Sequence, residues 1–215
     1  MKPLEQEVTD LAIISSKNLE GWCVPEKAVE LVHFAYKPNV LTCVEIGVFG
    51  GKSLIPVATA LKAKGKGKVY GVESYNNADT LKDVPAGNHL EWWRTIDLQV
   101  IKQGFLKAVD TLELHNYVEL LEMTSMDAVL KFDHCSVDLL HIDGNHTEAI
   151  ALADVTNWLP KVRPGGYVFL DDISWDYSTH RRATTAAAIE HTLKYCNWLG
   201  IVDQTLICQK YPRVT

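Results

Sequence analysis

Five short runs in this chain, "VLTCVEIGV", "GKVYGVES", "YVELLEM", "SVDLLHID" and "GGYVFLDD", are apolar almost without interruption, not at every second residue. Strands read this way when both of their faces are covered, as in a parallel sheet wrapped by helices. The segments between them are long enough for helices. Residues 53–64 place Leu54, Val57, Ala58 and Leu61 at helical spacing and stop at "KGKGK". Residues 146–159 read as a helix running up to Pro160, and "RPGG" reads as the turn into the next strand. The tail "GIVDQTLICQKY" reads as one or two closing strands, in the form of an antiparallel edge pair. The expected architecture is a doubly wound, mostly parallel α/β domain over residues 39–215. Residues 1–38 form an N-terminal helical extension of one or two amphipathic helices. Residues 74–95, with the adjacent Trp92 and Trp93, form a lid-like insertion at a strand end, where open α/β sheets bind ligands.

Composition narrows the class. A length of 215 residues suits one domain with a full core. Hydrophobic residues at 47% and charged residues at 22% are ordinary for a soluble globular chain. A net charge of −6 with no basic run argues against nucleic acid as a partner. No apolar run would span a bilayer, and "MKPLEQEVTD" is acidic where a signal peptide is basic. The five cysteines, at 23, 43, 135, 196 and 208, show no ligand spacing and read as reduced, mostly buried groups of a cytoplasmic protein.

The stretch "VEIGVFGGKS", residues 44–53, admits three readings. A P-loop needs four residues between its first glycine and the Gly-Lys pair, and only three separate Gly47 from Gly51. A dinucleotide fingerprint would need glycine at position 45, where Glu45 would instead face a pyrophosphate. The same carboxylate favours a ligand bearing a cationic amine. Gly47 permits a tight turn, and the helix N–H groups beyond Gly51 can receive a carboxylate. Glu73, closing "YGVES", can accept from both hydroxyls of a ribose if the two strands are neighbours.

Together, "VEIGVFGGKS", "YGVES", "VDLLHIDGNHTEA" and "LPKVRPGGYVFLDD" resemble the successive motifs of class I S-adenosylmethionine-dependent methyltransferases over about residues 40–172. Within them the chain is similar to small-molecule O-methyltransferases of the catechol and macrocin type. The resemblance implies that Glu45, Gly47 and Phe49 lie by the methionine portion of the cofactor and that Ser53 approaches its carboxylate. It implies that Glu73 binds the ribose, that Ser125 lies near the adenine, and that Asp143 closes the cofactor site. "EMTSMD" departs from the pattern in lacking the glycine often found before Ser125.

Asp143 and the pair Asp171–Asp172 end two neighbouring strands, so three hard oxygen donors should meet at the cofactor mouth. Such a set suits Mg²⁺, or Mn²⁺ or Ca²⁺, better than Zn²⁺, and the resemblance places these positions on metal ligands. A bound cation would acidify a substrate hydroxyl. His146, just past Asp143, is the expected general base, with Asn145 where some relatives carry an acid. His141 reads as a core histidine, His180 as a group that could reach the mouth, and Trp175 and Tyr177 as substrate walls. The expected reaction is methyl transfer to a hydroxyl of a small molecule, a sugar or secondary metabolite. An NAD-dependent sugar-modifying enzyme, a non-catalytic methyltransferase-like binding protein, and assembly as a homo-oligomer all stay open at this point.

Overall fold

The computed structural model of the protein describes residues 3–84, 88–175 and 184–212. The sheet order is β3-β2-β1-β4-β5-β7-β6, built from β1 (Thr42–Ile46), β2 (Lys68–Val72), β3 (Val118–Leu121), β4 (Val137–Ile142), β5 (Val162–Leu170), β6 (Cys196–Val202) and β7 (Thr205–Lys210). The first five strands pair in parallel, and β7 joins antiparallel to β5 and β6. The doubly wound, mostly parallel α/β sheet expected from the sequence is therefore present. β4 is buried at all six positions because helices cover both of its faces, which explains its unbroken apolar run.

The helices are α1 (Pro3–Ser16), α2 (Pro25–Ala35), α3 (Leu54–Lys64), α4 (Asn77–Thr80), α5 (Asn88–Thr95), α6 (Leu98–Thr111), α7 (Ser125–Ala128), α8 (Glu148–Trp158) and α9 (Ala186–Leu193). One core layer joins Val8, Leu31, Leu54 and Phe105 from α1, α2, α3 and α6 to Cys43, Leu139 and Phe169 of the sheet. The other joins Val44, Leu140 and Val168 to Trp158 of α8 and Ala188 of α9. Within residues 1–38, α1 and α2 lie on α3 as part of the first layer.

Three local differences from the sequence reading have physical reasons. Residues 163–166, "RPGG", bulge within β5, since Val137↔Val162 is followed directly by Leu139↔Tyr167 in the pairing. The second helix named above begins at Glu148, which leaves His146 in the preceding loop. The closing hairpin starts at Cys196, and its second strand inserts beside β5, so β6 is the edge.

Candidate active site

The carboxyl ends of β1, β4 and β5 meet through backbone bonds that continue the ladder past the strands. Asp143 N–H donates to Ile46 O at 2.8 Å, and Asp171 N–H donates to Ile142 O at 2.9 Å. Alternation along these strands then sends Glu45, His141, Asp143 and Asp171 toward the layer that holds α2. The turn after β1 passes so close to β4 that a Cβ on Gly47 would lie 1.9 Å from Asp143 O, and its φ is +88°. Gly51, with φ +79°, leaves room for the Phe105 ring. Gly47→Ala is expected to abolish S-adenosylhomocysteine binding in calorimetry and to lower the unfolding temperature. Gly65→Ala, at φ +73° with nothing within 4 Å, pays only the left-handed strain of ~1 kcal/mol and retains binding.

Glu45 is buried and has both oxygens engaged: Ser53 Oγ donates to Oε1 at 2.8 Å, and His141 Nδ1 lies 3.1 Å from Oε2. Ser53 is turned inward onto Glu45, and both Glu45 oxygens face protein donors. A buried carboxylate without partners is costly, and the fold supplies them. His141, read as a core histidine, is fully buried and also a neighbour of the site carboxylates. The Glu45 and Asp171 carboxylates outweigh the burial that would lower its pKa and raise it to about 9. Its Nε2 has no hydrogen-bond partner and points at Asp171 Oδ2, 3.6 Å away, and Asp143 Oδ2, 3.9 Å away.

The expected trio of carboxylates divides. Asp171 and Asp172 are consecutive, so they leave the strand end in different directions, helped by a φ of +54° at Asp172. Asp171 turns to His141 and to Lys27 of α2, and also accepts from Thr205 Oγ1 at 2.5 Å. Asp172 turns to His146, with Oδ2 2.8 Å from Nε2. Asp143 stands between the two groups. The Lys27 ammonium pairs with Asp171 Oδ2 and lies 3.4 Å from Asp143 Oδ2, on the oxygens that a divalent cation would use. A Mg²⁺ held by Asp143 and Asp171 does not fit beside that ammonium, because the two cations would repel at contact distance. Burial and the neighbouring Asp171 charge push the Asp143 carboxyl up to about 8. His141 and Lys27 hold Asp171 well below the usual carboxylate range, against the effect of its burial. Nothing in the sequence alone singled out Lys27, since it is a lysine in an amphipathic helix far upstream of the motifs.

Glu73 ends β2 beside the glycine turn and accepts from Phe49 N–H at 3.2 Å and Tyr75 N–H at 3.3 Å. Burial raises its pKa against these donors, and a carboxylate so placed keeps lone pairs for further hydroxyls. Tyr75 O–H donates to Phe49 O at 2.7 Å, locking the loop to the strand end. A cavity of about 620 Å³, lined by Ser74, Tyr75, Asn76, Gln99 and Glu122, opens on this side. Ser125, expected near the adenine, donates to the buried Asp154 carboxylate at 2.5 Å. Phe49 forms an aromatic cluster with Trp22, 5.5 Å between ring centroids, and Trp93, 5.6 Å, while Trp92 packs 5.3 Å from Trp22. Trp175 stands 5.4 Å from the His146 ring. Tyr177 and His180 lie outside the described residues. No helix among the described residues is long and apolar enough to cross a membrane.

A protein family described as "Methyltransferase domain" matches residues 44–173, more than half of the chain. The chain belongs to this family. With its Rossmann-like sheet it is a class I methyltransferase, an S-adenosylmethionine-dependent enzyme. The methyltransferase is similar in fold to the O-methyltransferase NovP, at 15% identity over 96% of this chain and 99% of that one, with a TM-score of 0.73. It is similar to TomG from Streptomyces achromogenes, solved with SAM, at 14% identity over 99% and 91% of the chains, TM-score 0.63. It is also similar to a Bacillus cereus O-methyltransferase solved with SAH, at 16% identity over 98% and 91%, TM-score 0.62. At these identities the likeness is one of fold. The uncharacterized protein y4gI of Sinorhizobium fredii is 39% identical over 56 residues, which is 26% of this chain and 6% of that protein. The methyltransferase therefore spans only a small part of the length of that relative.

Proposed function

We propose that the enzyme methylates a hydroxyl of a small molecule, a sugar or a secondary metabolite, with His146 as general base. The observation that carries this reading is the His146–Asp172 pair, 2.8 Å apart beside Asp143 at the mouth next to the glycine turn. An imidazole that donates from Nε2 to a carboxylate presents Nδ1 as its basic nitrogen. The acceptor hydroxyl gives its proton to Nδ1 as its oxygen attacks the methyl carbon. The oxygen–carbon bond forms, the sulfur–carbon bond breaks, and its electron pair stays on sulfur, turning the sulfonium into a neutral thioether. Positioning of the two reactants supplies much of the rate. Trp175 beside His146, and the cluster of Trp22, Phe49, Trp92 and Trp93, offer flat apolar walls to the acceptor.

NovP, TomG and the Bacillus cereus protein, whose fold this chain shares, are O-methyltransferases, which supports transfer to oxygen. The test is incubation with methyl-deuterated S-adenosylmethionine and panels of phenols, sugars and amines, with fragmentation of any labelled product. Label on oxygen is expected, and label confined to nitrogen or carbon overturns the reading. Thermal shift with S-adenosylhomocysteine against NAD⁺ separates the cofactor classes, and a shift by NAD⁺ alone would contradict it as well.

A further inference from the structure

We infer that Lys27 is a built-in cation, a protein ammonium seated where a divalent metal would otherwise bridge Asp143, Asp171 and His141. Three observations carry it. First, the Lys27 side chain is 4% exposed and its ammonium pairs with Asp171 Oδ2 and faces Asp143 Oδ2. Second, Lys27 sits in the first turn of α2, where the helix dipole disfavours a cation. A lysine in that turn, buried and reaching across to strand ends 116 and 144 residues away, is placed there by the carboxylates and not by local preference. Third, His141 Nε2 is buried, lacks a hydrogen-bond partner and aims at the same two carboxylates. One ring nitrogen of His141 and the two carboxylate oxygens lie within 4.8 Å of one another, a spacing that suits ligands of one ion once the ring is neutral. Two carboxylates and an imidazole suit Mn²⁺ or Zn²⁺ as well as Mg²⁺.

The consequence is a cluster of Asp143, Asp171 and His141 held compact without a metal, its capacity to take one masked by a single side chain. That the masked site is also the acceptor mouth rests on the O-methylation reading, whereas the masking itself does not. The experiment therefore reads cation binding directly. Mn²⁺ is titrated into the full chain and free Mn²⁺ is followed by electron paramagnetic resonance, for wild type, Asp171→Asn, Lys27→Ala, Lys27→Arg and Lys27→Ala/Asp171→Asn. Wild type and Lys27→Arg are expected to leave Mn²⁺ free up to roughly millimolar concentration. Lys27→Ala is expected to bind one Mn²⁺ at least about tenfold more tightly than wild type, and the double variant to lose it. The wild-type arm decides even where Lys27→Ala does not fold. Micromolar Mn²⁺ bound by wild type and lost with Asp171→Asn overturns the proposal, as does a folded Lys27→Ala protein that ignores the ion. A product found methylated on nitrogen would refute the O-methylation reading and leave this one standing.

Discussion

Replacing His146 with alanine is expected to lower kcat roughly a hundredfold to ten-thousandfold, the usual contribution of a positioned base, while leaving S-adenosylhomocysteine affinity unchanged. The selectivity follows from place. His146 lies in the loop before α8 and holds Asp172 at the strand end of β5, while the glycine turn and Glu73 are anchored to β1 and β2. Asp172→Asn keeps the size of the partner but not its charge, so its loss of rate should be smaller and its KM close to wild type. The pH profile supplies a second readout. Burial works to lower the His146 pKa, but the Asp172 carboxylate outweighs it and the net shift is upward. A base acts in its neutral form, so kcat/KM should climb with pH through an apparent pKa above the ordinary 6.5 of histidine. Asp172→Asn should move that limb to lower pH, which a merely structural loss would not do. Wild-type rates from the His146→Ala enzyme, measured by product mass, would remove His146 from the chemistry.

How much of this was legible beforehand can be traced residue by residue. The sheet was readable because strands covered on both faces carry unbroken apolar runs, as β4 does. Gly47 was readable because the turn leaves no space for a side chain, and Asp143, Asp171 and Asp172 because they end strands that proved to be neighbours. What the sequence did not disclose is direction. Whether Asp171 and Asp172 share a ligand or diverge depends on a left-handed φ at Asp172, and spacing does not record it. Whether Glu45 faces a ligand or the interior depends on His141 and Ser53, each innocuous when read by itself. Lys27 is the extreme case, since it reaches its partners across more than a hundred residues of chain. The one local sign was a lysine in the first turn of a helix, a weak signal until the carboxylates are seen opposite it.

Lys27→Met is expected to destabilise the fold by about 3–5 kcal/mol at neutral pH, the usual cost of stripping one partner from a buried pair. In a domain of this size that is a fall of roughly 6–20 °C in unfolding temperature. Methionine keeps the length and apolar stem, so lost packing contributes little and the lost ammonium dominates. The pH dependence gives the sign. In wild type the Asp171 pKa is lowered from 3.8, so its contribution is present above that value and is lost as pH falls through the lower, folded one. Without Lys27 the His141 contact still lowers the Asp171 pKa against its burial, so the folded value should rise toward 3.8 and the carboxylate should contribute less. The variant therefore keeps the same sign of pH dependence in acid with a shallower slope. The gap between the two proteins should accordingly be present at neutral pH and shrink as pH falls below 3.8, in denaturant titrations run in parallel. Thr205 and the Asp172 backbone N–H still donate to Asp171 Oδ1, which keeps the loss below that of a wholly isolated charge. A gap under about 1 kcal/mol that does not change with pH is what an exposed, weakly paired lysine would give, and it would mean that the ammonium does not hold these carboxylates together.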